Sequence, residues 1–178
     1  MIGIDGSIRA ARVFHVLWHG ERIAHDVAVR QAAICDNAKA GRFFTLQASQ
    51  ESIHATVFHA ATAMLAPRAR MMLTNAVTAL DTYRRHLAHD LERGHLVSTI
   101  IGLQIVLEGL GALTLAHINL ALSRYGARFA PYKRLLEQQE DTHHAFGCRW
   151  LAHKDAASIT RMAADARRYF ELAVRRDR

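Results

Sequence analysis

Two short stretches of the sequence place a glutamate three residues before a histidine. Glu51 and His54 lie in "QESIHATVF", and Glu140 and His143 lie in "LEQQEDTHHAFG". Because residues three apart share one face of an α-helix, each pair can direct a carboxylate and an imidazole to the same place. Both groups are ligands of divalent metal ions. One such pair arises by chance in many helical proteins, so the rest of the chain must decide whether these two pairs belong to a metal site.

Two further glutamates, Glu21 and Glu108, occupy positions where the helical pattern predicts apolar core residues. Glu21 continues a stripe that includes Phe14 and Leu17, and Glu108 continues one that includes Ile101. Burying a carboxylate without a partner costs several kcal/mol, so these groups must take up protons, find cations or bind metal. The sequence supplies no matching set of inward lysines or arginines. The inward carboxylates therefore favour a metal site.

Six helical stretches are predicted to position these residues. No segment alternates apolar and polar residues over the length of a strand, and only 2 Pro and 10 Gly interrupt the chain, so the fold class is all-α. Ser7 and Asp155 are suited to N-caps and Pro131 to a first helical turn. The stretch 68–93 carries charges on most turns and is predicted to be a crossover or outer helix. The six stretches are 7–38, 42–65, 68–93, 95–125, 131–153 and 155–175.

Length and composition fit one domain over residues 1–178. With 51% hydrophobic residues, such a chain can build a core without disulfides or structural metal. The core bundle is expected over about 7–153, followed by an extra C-terminal helix over about 155–175. Cys35 and Cys148 form no Cys-x-x-Cys motif, and the N-terminal residues lack the apolar core of a signal peptide. A cytoplasmic location is the expectation.

The stretch 96–118 is apolar on nearly every side and long enough to span a bilayer. Gln104 and Glu108 lie inside it, and a central carboxylate costs on the order of 3 kcal/mol in a membrane helix. We therefore expect no transmembrane segment. A helix of this kind fits the middle of a bundle, or one that also faces a subunit partner, which leaves a homodimer open.

The charge of the chain is basic, with a formal net charge of +7 and a pI of about 10.1. This charge could serve an acidic partner such as RNA or an anionic membrane surface. The arginines are spread along the chain, however, with local density only at "TYRRH" and in the last fifteen or so residues. The pattern favours a solvated basic face over a nucleic-acid partner.

Taken in order, the four inward elements read Glu, Glu-x-x-His, Glu, Glu-x-x-His on four helices. This is the ligand set of a dinuclear metal site in a ferritin-like bundle. The chain resembles the ferritin-like di-iron carboxylate superfamily, especially its oxygen-activating branch related to the ribonucleotide reductase small subunit. The resemblance covers about 14–151 and rests on "HGERIA", "QESIHATVF", "LQIVLEGLG" and "EDTHHAFGCRWL". It implies a four-helix bundle with a crossover helix, and the metal ligands Glu21, Glu51, His54, Glu108, Glu140 and His143.

The resemblance also implies a division of these ligands. Glu21, Glu51 and His54 would hold one ion. Glu108, Glu140 and His143 would hold the other, and Glu51 and Glu140 would bridge the two ions. Two iron ions are expected, although a manganese–iron or dimanganese pair would use the same ligands. Small residues beside the third-helix glutamate would leave room for an apolar substrate or allow close helix packing: Gly109, Gly111 and Ala112.

Departures from the family narrow the expected function. Phe58 stands where radical-generating subunits carry a tyrosine, so radical storage is not expected. Two isolated cysteines cannot build the iron module of rubrerythrin-like proteins. Ferritin ferroxidase centres generally lack the second Glu-x-x-His histidine, which here is His143. Gln139 replaces an aspartate that often orients the second-helix histidine; it can accept the imidazole N–H bond but carries no charge.

The expected function is therefore a non-haem dinuclear iron oxidase or oxygenase that activates O2 and oxidises a small organic or apolar substrate. Electrons would come from a separate reductase or from the substrate; otherwise the protein would complete only a few turnovers. The alternatives are a ferritin-like ferroxidase, an iron-handling or oxidative-stress protein, and a metal-free helical interaction module. Transfer RNA is retained only as a special oxygenase substrate, tested by salt-sensitive RNA binding.

Two histidines near the predicted ligands have open roles. His25 lies one turn after Glu21 and is interpreted as an ordinary hydrogen-bonded histidine in preference to an additional ligand. His144 follows His143 and is interpreted as a helix-flank residue.

Overall fold

The structure is a computed structural model of the chain and describes residues 4–66, 75–122, 130–153 and 156–174. Within these ranges the chain is helical apart from short connections and contains no strand, which confirms the all-α prediction. The elements are α1 (Ile4–Ile34), α2 (Ala38–Leu65), α3 (Asn75–Glu92), α4 (Leu96–Ile100), a π-helical segment (Ile101–Leu107), α5 (Glu108–Leu122), α6 (Ala130–Leu151) and α7 (Ala156–Val174).

Two predicted helix ends near the first connection are wrong, and one residue explains them. The Asn37 side chain accepts hydrogen bonds from the backbone N–H groups of Lys39 and Ala40, both at 3.0 Å, and so caps α2. Consequently α1 ends at Ile34, and α2 begins four residues earlier than expected. Ser7 lies inside α1 and is not its N-cap. The predicted end of α2 at residue 65 is confirmed, whereas the predicted cap at Asp155 lies outside the described residues.

The third core helix is continuous from residue 96 to residue 122, but its middle is not α-helical. α4 passes directly into the π-helical segment, which ends just before Glu108. π-Helical turns are rare and occur often at functional sites. Side chains from other helices bind two carbonyl groups of this segment: the Tyr83 hydroxyl donates to Gly102 at 2.6 Å, and His144 Nδ1 donates to Gln104 at 3.0 Å.

Close helix packing surrounds the π-helical segment. A Cβ atom at Gly102 would lie 2.7 Å from Leu87 Cδ2, and one at Gly147 would lie 2.8 Å from Gln104 Cβ. Glycine at these two positions lets α3 and α6 approach the segment. On its other side, Tyr169 of α7 is fully buried against the segment and α3.

Apolar side chains close the interior above and below Glu51. Phe44 and Phe58 are both fully buried on α2, seven residues before and after Glu51, which corresponds to about 10 Å in each direction. Phe58 packs with Phe14 and Leu136, whereas Phe44 packs with side chains that include Ile100 and Phe146. The polar layer between these two clusters is the candidate site.

The stretch Leu96–Ala116 is the one part of the described chain that is long and apolar enough to cross a membrane. Half of this window is buried inside the protein. Gln104 and Glu108, near its middle, are directed into the interior and are buried. The core helix of a helical bundle has the same length and composition, so a single helix of this kind is weak support for a membrane segment.

Candidate metal centre

The six glutamates and histidines singled out in the sequence meet in one buried layer, although they come from four helices. Each is less than a tenth exposed. α1 contributes one of them, α2 two, the start of α5 one and α6 two: Glu21, Glu51, His54, Glu108, Glu140 and His143. The predicted placement of these residues on inward helix faces is confirmed.

One group of ligand atoms surrounds His54. Its Nδ1 atom lies 3.0 Å from Glu51 Oε2, 3.3 Å from Glu140 Oε1 and 3.4 Å from Glu21 Oε2. One ligand atom from each of these four residues lies within 4.8 Å of the others. This spacing could hold a metal ion.

A second group contains Glu51, Glu108 and His143, again with ligand atoms within 4.8 Å of one another. His143 Nδ1 lies 3.0 Å from Glu51 Oε1 and 3.7 Å from Glu108 Oε1. Glu51 therefore faces His54 with one carboxylate oxygen and His143 with the other. The resemblance assigned Glu140 to the second ion and also made it a bridge; in the structure its carboxylate lies with the first group and also contacts Glu108 of the second.

Two buried atoms of these groups have no hydrogen-bond partner in the described part of the chain: Glu140 Oε1 and His143 Nδ1. Their nearest polar neighbours are close, but the hydrogen-bond geometry is not satisfied. A buried polar atom left in this way costs about 1–3 kcal/mol. A divalent cation fits both atoms, because a carboxylate oxygen and an unprotonated imidazole nitrogen are electron-pair donors.

Glutamine side chains hold the outer nitrogens of both imidazoles. His54 Nε2 donates to Gln139 Oε1 at 2.8 Å, and His143 Nε2 donates to Gln50 Oε1 at 2.9 Å. Because an amide oxygen only accepts, Nε2 carries the proton and Nδ1 of a neutral imidazole is free for a metal. The expected bond to Gln139 is confirmed. Gln50 was missed, although a glutamine directly precedes the glutamate of both motifs.

A chain of three fully buried glutamines leads to Glu108. Gln47 Nε2 donates to Glu108 Oε1 at 2.6 Å and to Glu51 Oε1 at 3.2 Å. Gln104 Nε2 donates to Gln47 Oε1 at 2.9 Å and to Gln31 Oε1 at 2.8 Å. Gln31 and Gln47 were not recognised in the sequence, but as polar residues among apolar core positions they carried the same signal as the glutamates.

The electrostatics of the layer show where positive charge is favoured. Burial and the neighbouring Glu140 charge raise the pKa values of Glu21 and Glu108 well above the ordinary range. Burial alone would raise the pKa of Glu51, but the His143 and His54 imidazoles outweigh it and lower that pKa. Burial alone would lower the pKa of His54, but Glu140 and the other carboxylates raise it far above its usual value. Without metal, the layer therefore favours protons both on its carboxylates and on the His54 imidazole.

The two histidines with open roles belong to neither ligand group. His25 Nδ1 bonds to the carbonyl oxygen of Ala48 at 2.8 Å and so ties α1 to α2. Its interpretation as an ordinary hydrogen-bonded histidine is confirmed. His144 is also structural, because it binds the Gln104 carbonyl of the π-helical segment.

An apolar cavity of about 260 Å³ lies beside the carboxylates, between α1, α3 and α5. Glu21, Glu108 and Glu140 border it, while neither histidine of the layer does. Among the small residues expected to leave room for a substrate, Gly111 lines this cavity, whereas Gly109 and Ala112 do not. The layer thus has a histidine side closed by glutamines and a carboxylate side that adjoins a cavity.

No family model matches the chain, and neither the curated proteins nor the solved structures contain a significant match to it.

Proposed function

We propose that the chain forms a ferritin-like bundle around a dinuclear iron centre that activates O2 and oxidises a small organic substrate. The observation that carries the proposal is the Glu51 carboxylate, whose two oxygens face two separate ligand groups. Each group also contains one imidazole Nδ1 atom, from His54 or His143. A carboxylate between two such groups is suited to hold two divalent ions a few ångströms apart.

Iron is the metal of this proposal, and a manganese–iron or dimanganese pair would use the same ligands, because carboxylate and imidazole ligation does not fix the metal. Two divalent ions would offset the charges of the four carboxylates, which accounts for carboxylates without arginine or lysine partners in this buried layer. Bound iron would supply electrons to O2, and a separate reductase or the organic substrate would restore them.

The residues of the chain orient and enclose this centre. Gln50 and Gln139 fix the rotation of His143 and His54, so that both Nδ1 atoms point into the layer. The apolar clusters around Phe44 and Phe58 keep water away along the bundle axis. An organic molecule has access from the carboxylate side, where the layer borders a cavity.

Metal content and O2 uptake test the proposal. Protein reduced and loaded with Fe(II) without oxygen is expected to hold about two iron ions per chain and to consume O2 on exposure to air. The double variant Glu21→Gln/Glu108→Gln removes one carboxylate from each ligand group at nearly constant size, and is expected to lose iron. Glu92→Gln, at an exposed glutamate of α3, is the matched control and is expected to keep it.

Two outcomes contradict the proposal in different ways. If the wild-type protein retains fewer than about one iron ion per chain, the result contradicts a dinuclear centre. A multimeric shell that accumulates many iron ions per chain, detected by light scattering together with metal analysis, would replace the oxygenase with an iron-handling ferroxidase.

A further inference from the structure

The cavity on the carboxylate side differs from the other large clefts of the described protein. A cleft of about 510 Å³ is lined by charged residues that include Arg22, Asp26 and Asp81, and another of about 740 Å³ lies beside Asp90 and Arg168. Neither cleft is bordered by any of the six residues of the candidate centre. The 260 Å³ cavity is smaller, but three carboxylates of the centre form part of its wall.

Apart from those three carboxylates, the wall of this cavity offers almost no polar group. Its other described lining residues are aliphatic or glycine, with Thr114 as the exception. The Thr114 hydroxyl already donates to the Leu110 carbonyl at 2.8 Å. Among residues 4–66, 75–122, 130–153 and 156–174, no cationic side chain lines the cavity to bind an acid or a phosphate, and the three carboxylates disfavour an anion. A ligand that fits this wall is therefore uncharged and apolar.

The volume of the cavity limits the size of that ligand. A cavity of about 150 Å³ lined by aliphatic and aromatic side chains is sufficient for benzene, which has six carbon atoms. In proportion, about 260 Å³ accommodates roughly ten non-hydrogen atoms. A bicyclic aromatic hydrocarbon or a short branched chain has this size, whereas a long acyl chain does not.

Gly20 keeps part of this space open. It lies on α1 one turn from Val16 and one turn from Ala24, and all three residues line the cavity. Residues four apart share a helix face, so a side chain at position 20 would extend into the cavity. A Cβ atom at Gly20 would meet no atom within 4 Å. Glycine inside a helix costs about 0.5–1 kcal/mol relative to alanine, and here the missing side chain leaves volume beside Glu21.

We propose that this cavity is the substrate pocket of the centre, that it takes an uncharged apolar molecule of about ten non-hydrogen atoms, and that Gly20 sets the size limit. This inference rests on the proposed function, because a substrate pocket requires a reactive centre. The cavity places one end of such a molecule against the carboxylate side of the layer, away from the histidines.

Binding of naphthalene, which has ten carbon atoms, tests the pocket without any enzymatic readout. Fluorescence titration of the full chain, metal-free and iron-loaded, is expected to show saturable binding, and naphthalene-2-sulfonate is expected to bind at least about tenfold more weakly. Gly20→Leu fills the cavity and is expected to weaken naphthalene binding about tenfold or more. Gly20→Ala adds one methyl group and is expected to retain most of the affinity.

Two further variants separate a blocked pocket from a damaged fold. Ala76→Leu adds bulk at the exposed α3 edge of the same cavity, away from the metal layer, and is expected to weaken naphthalene binding as Gly20→Leu does. Ala163→Leu, at an exposed position of α7, is the matched control and is expected to bind normally. All variants are compared by circular dichroism and iron content, which are expected to match the wild type.

The outcomes distinguish the pocket from the proposed function. Unchanged naphthalene binding in folded Gly20→Leu and Ala76→Leu would overturn the pocket, whatever the iron content. Equal binding of the sulfonate would overturn the apolar class of ligand. If the wild type binds naphthalene through Gly20 but retains no iron after anaerobic loading with Fe(II), the proposed function is overturned, and with it the role of this ligand site as a substrate pocket.

Discussion

The two Gln-Glu-x-x-His motifs, at 50–54 on α2 and 139–143 on α6, share one pattern but have different surroundings. Each motif binds the histidine of the other through its glutamine, so that the two helices are cross-connected at the level of the site. This shared part follows from identical spacing. The differences lie one turn before each glutamate and one turn after each histidine, and they come from the neighbouring helices.

One turn before the glutamate, the first motif has Gln47 and the second has Leu136. Gln47 donates to Glu108 and Glu51, whereas Leu136 is fully buried beside Phe14. The glutamine connects the first motif to the amide chain that reaches the π-helical segment. At the second motif the equivalent position only contributes apolar packing.

One turn after the histidine, the first motif has Phe58 and the second has Gly147. Phe58 stacks on Phe14 with ring centroids 5.8 Å apart. Gly147 instead leaves the space into which Gln104 and Ile105 of the π-helical segment approach α6. The comparison teaches that the motif specifies the ligands, while the flanking positions specify how closely the neighbouring helix can approach.

The largest expected difference between the motifs concerns metal content. Glu51 belongs to both ligand groups and Glu140 to one, so Glu51→Gln is expected to lose both ions and Glu140→Gln to retain about one per chain. Elemental analysis of anaerobically iron-loaded protein measures this difference. Equal iron content in the two variants would show that the two glutamates are equivalent.

Alanine at the positions one turn after each histidine is expected to destabilise the fold for opposite reasons, underpacking at Phe58 and overpacking at Gly147. Phe58→Ala opens a cavity at a fully buried ring and is expected to cost about 3–5 kcal/mol of unfolding free energy. Gly147→Ala overpacks the π-helical segment and is expected to cost about 1–3 kcal/mol. Urea unfolding of metal-free protein compares them. A stabilising Gly147→Ala would mean that helix preference outweighs the close contact.

The two glutamines are expected to contribute equally to metal affinity. Gln50→Met and Gln139→Met each release one imidazole Nε2 atom, and loss of such a partner typically lowers metal affinity by about 10–100-fold. Competition with a chelator measures the affinity, and Gln138→Met, at an exposed position of α6, is the control. If metal affinity falls in only one of the two variants, only one of the two glutamines supports metal binding.

The last expected effect concerns the contacts of α7 with α3 and α4, outside the two motifs. Burial alone would raise the pKa of Asp90, but bonds from Ser98, Tyr169 and Arg168 lower it below its ordinary value. These bonds hold α7 against α3 and the start of α4. We expect Asp90→Asn to cost about 1–3 kcal/mol at neutral pH.

The sign of the pH effect follows from the lowered pKa of Asp90. An ionised carboxylate stabilises the fold above its unfolded pKa of about 4, and this contribution is lost as pH falls through the lower folded pKa. The wild type is therefore expected to lose its advantage over Asp90→Asn as pH falls below about 4. Thermal unfolding between pH 7 and pH 3 measures it, and a constant difference would contradict the assignment.

Much of the helical organisation and of the candidate ligand set could be predicted because both depend on short-range periodicity. Glu21 and Glu108 stood out as charges on apolar stripes, and the three-residue spacing placed His54 and His143 on the same faces as their glutamates. The Asn37 cap was missed although capping is also a local interaction, because the apolar pattern that predicted the first helix continues past Asn37. Gln50 and Gln47 were missed because an uncharged amide stands out less than a buried carboxylate.

The sequence by itself determined the all-helical class and the inward placement of the six residues, since one helical turn relates neighbouring positions without reference to the rest of the chain. Only the tertiary structure decided that Glu51 faces both histidines and that each glutamine binds the histidine of the opposite motif. It also decided where the helix from residue 96 to residue 122 becomes π-helical, and that a cavity adjoins the carboxylates. These features depend on contacts between residues about 60 to 90 positions apart, whose distances are set by how side chains on separate helices pack.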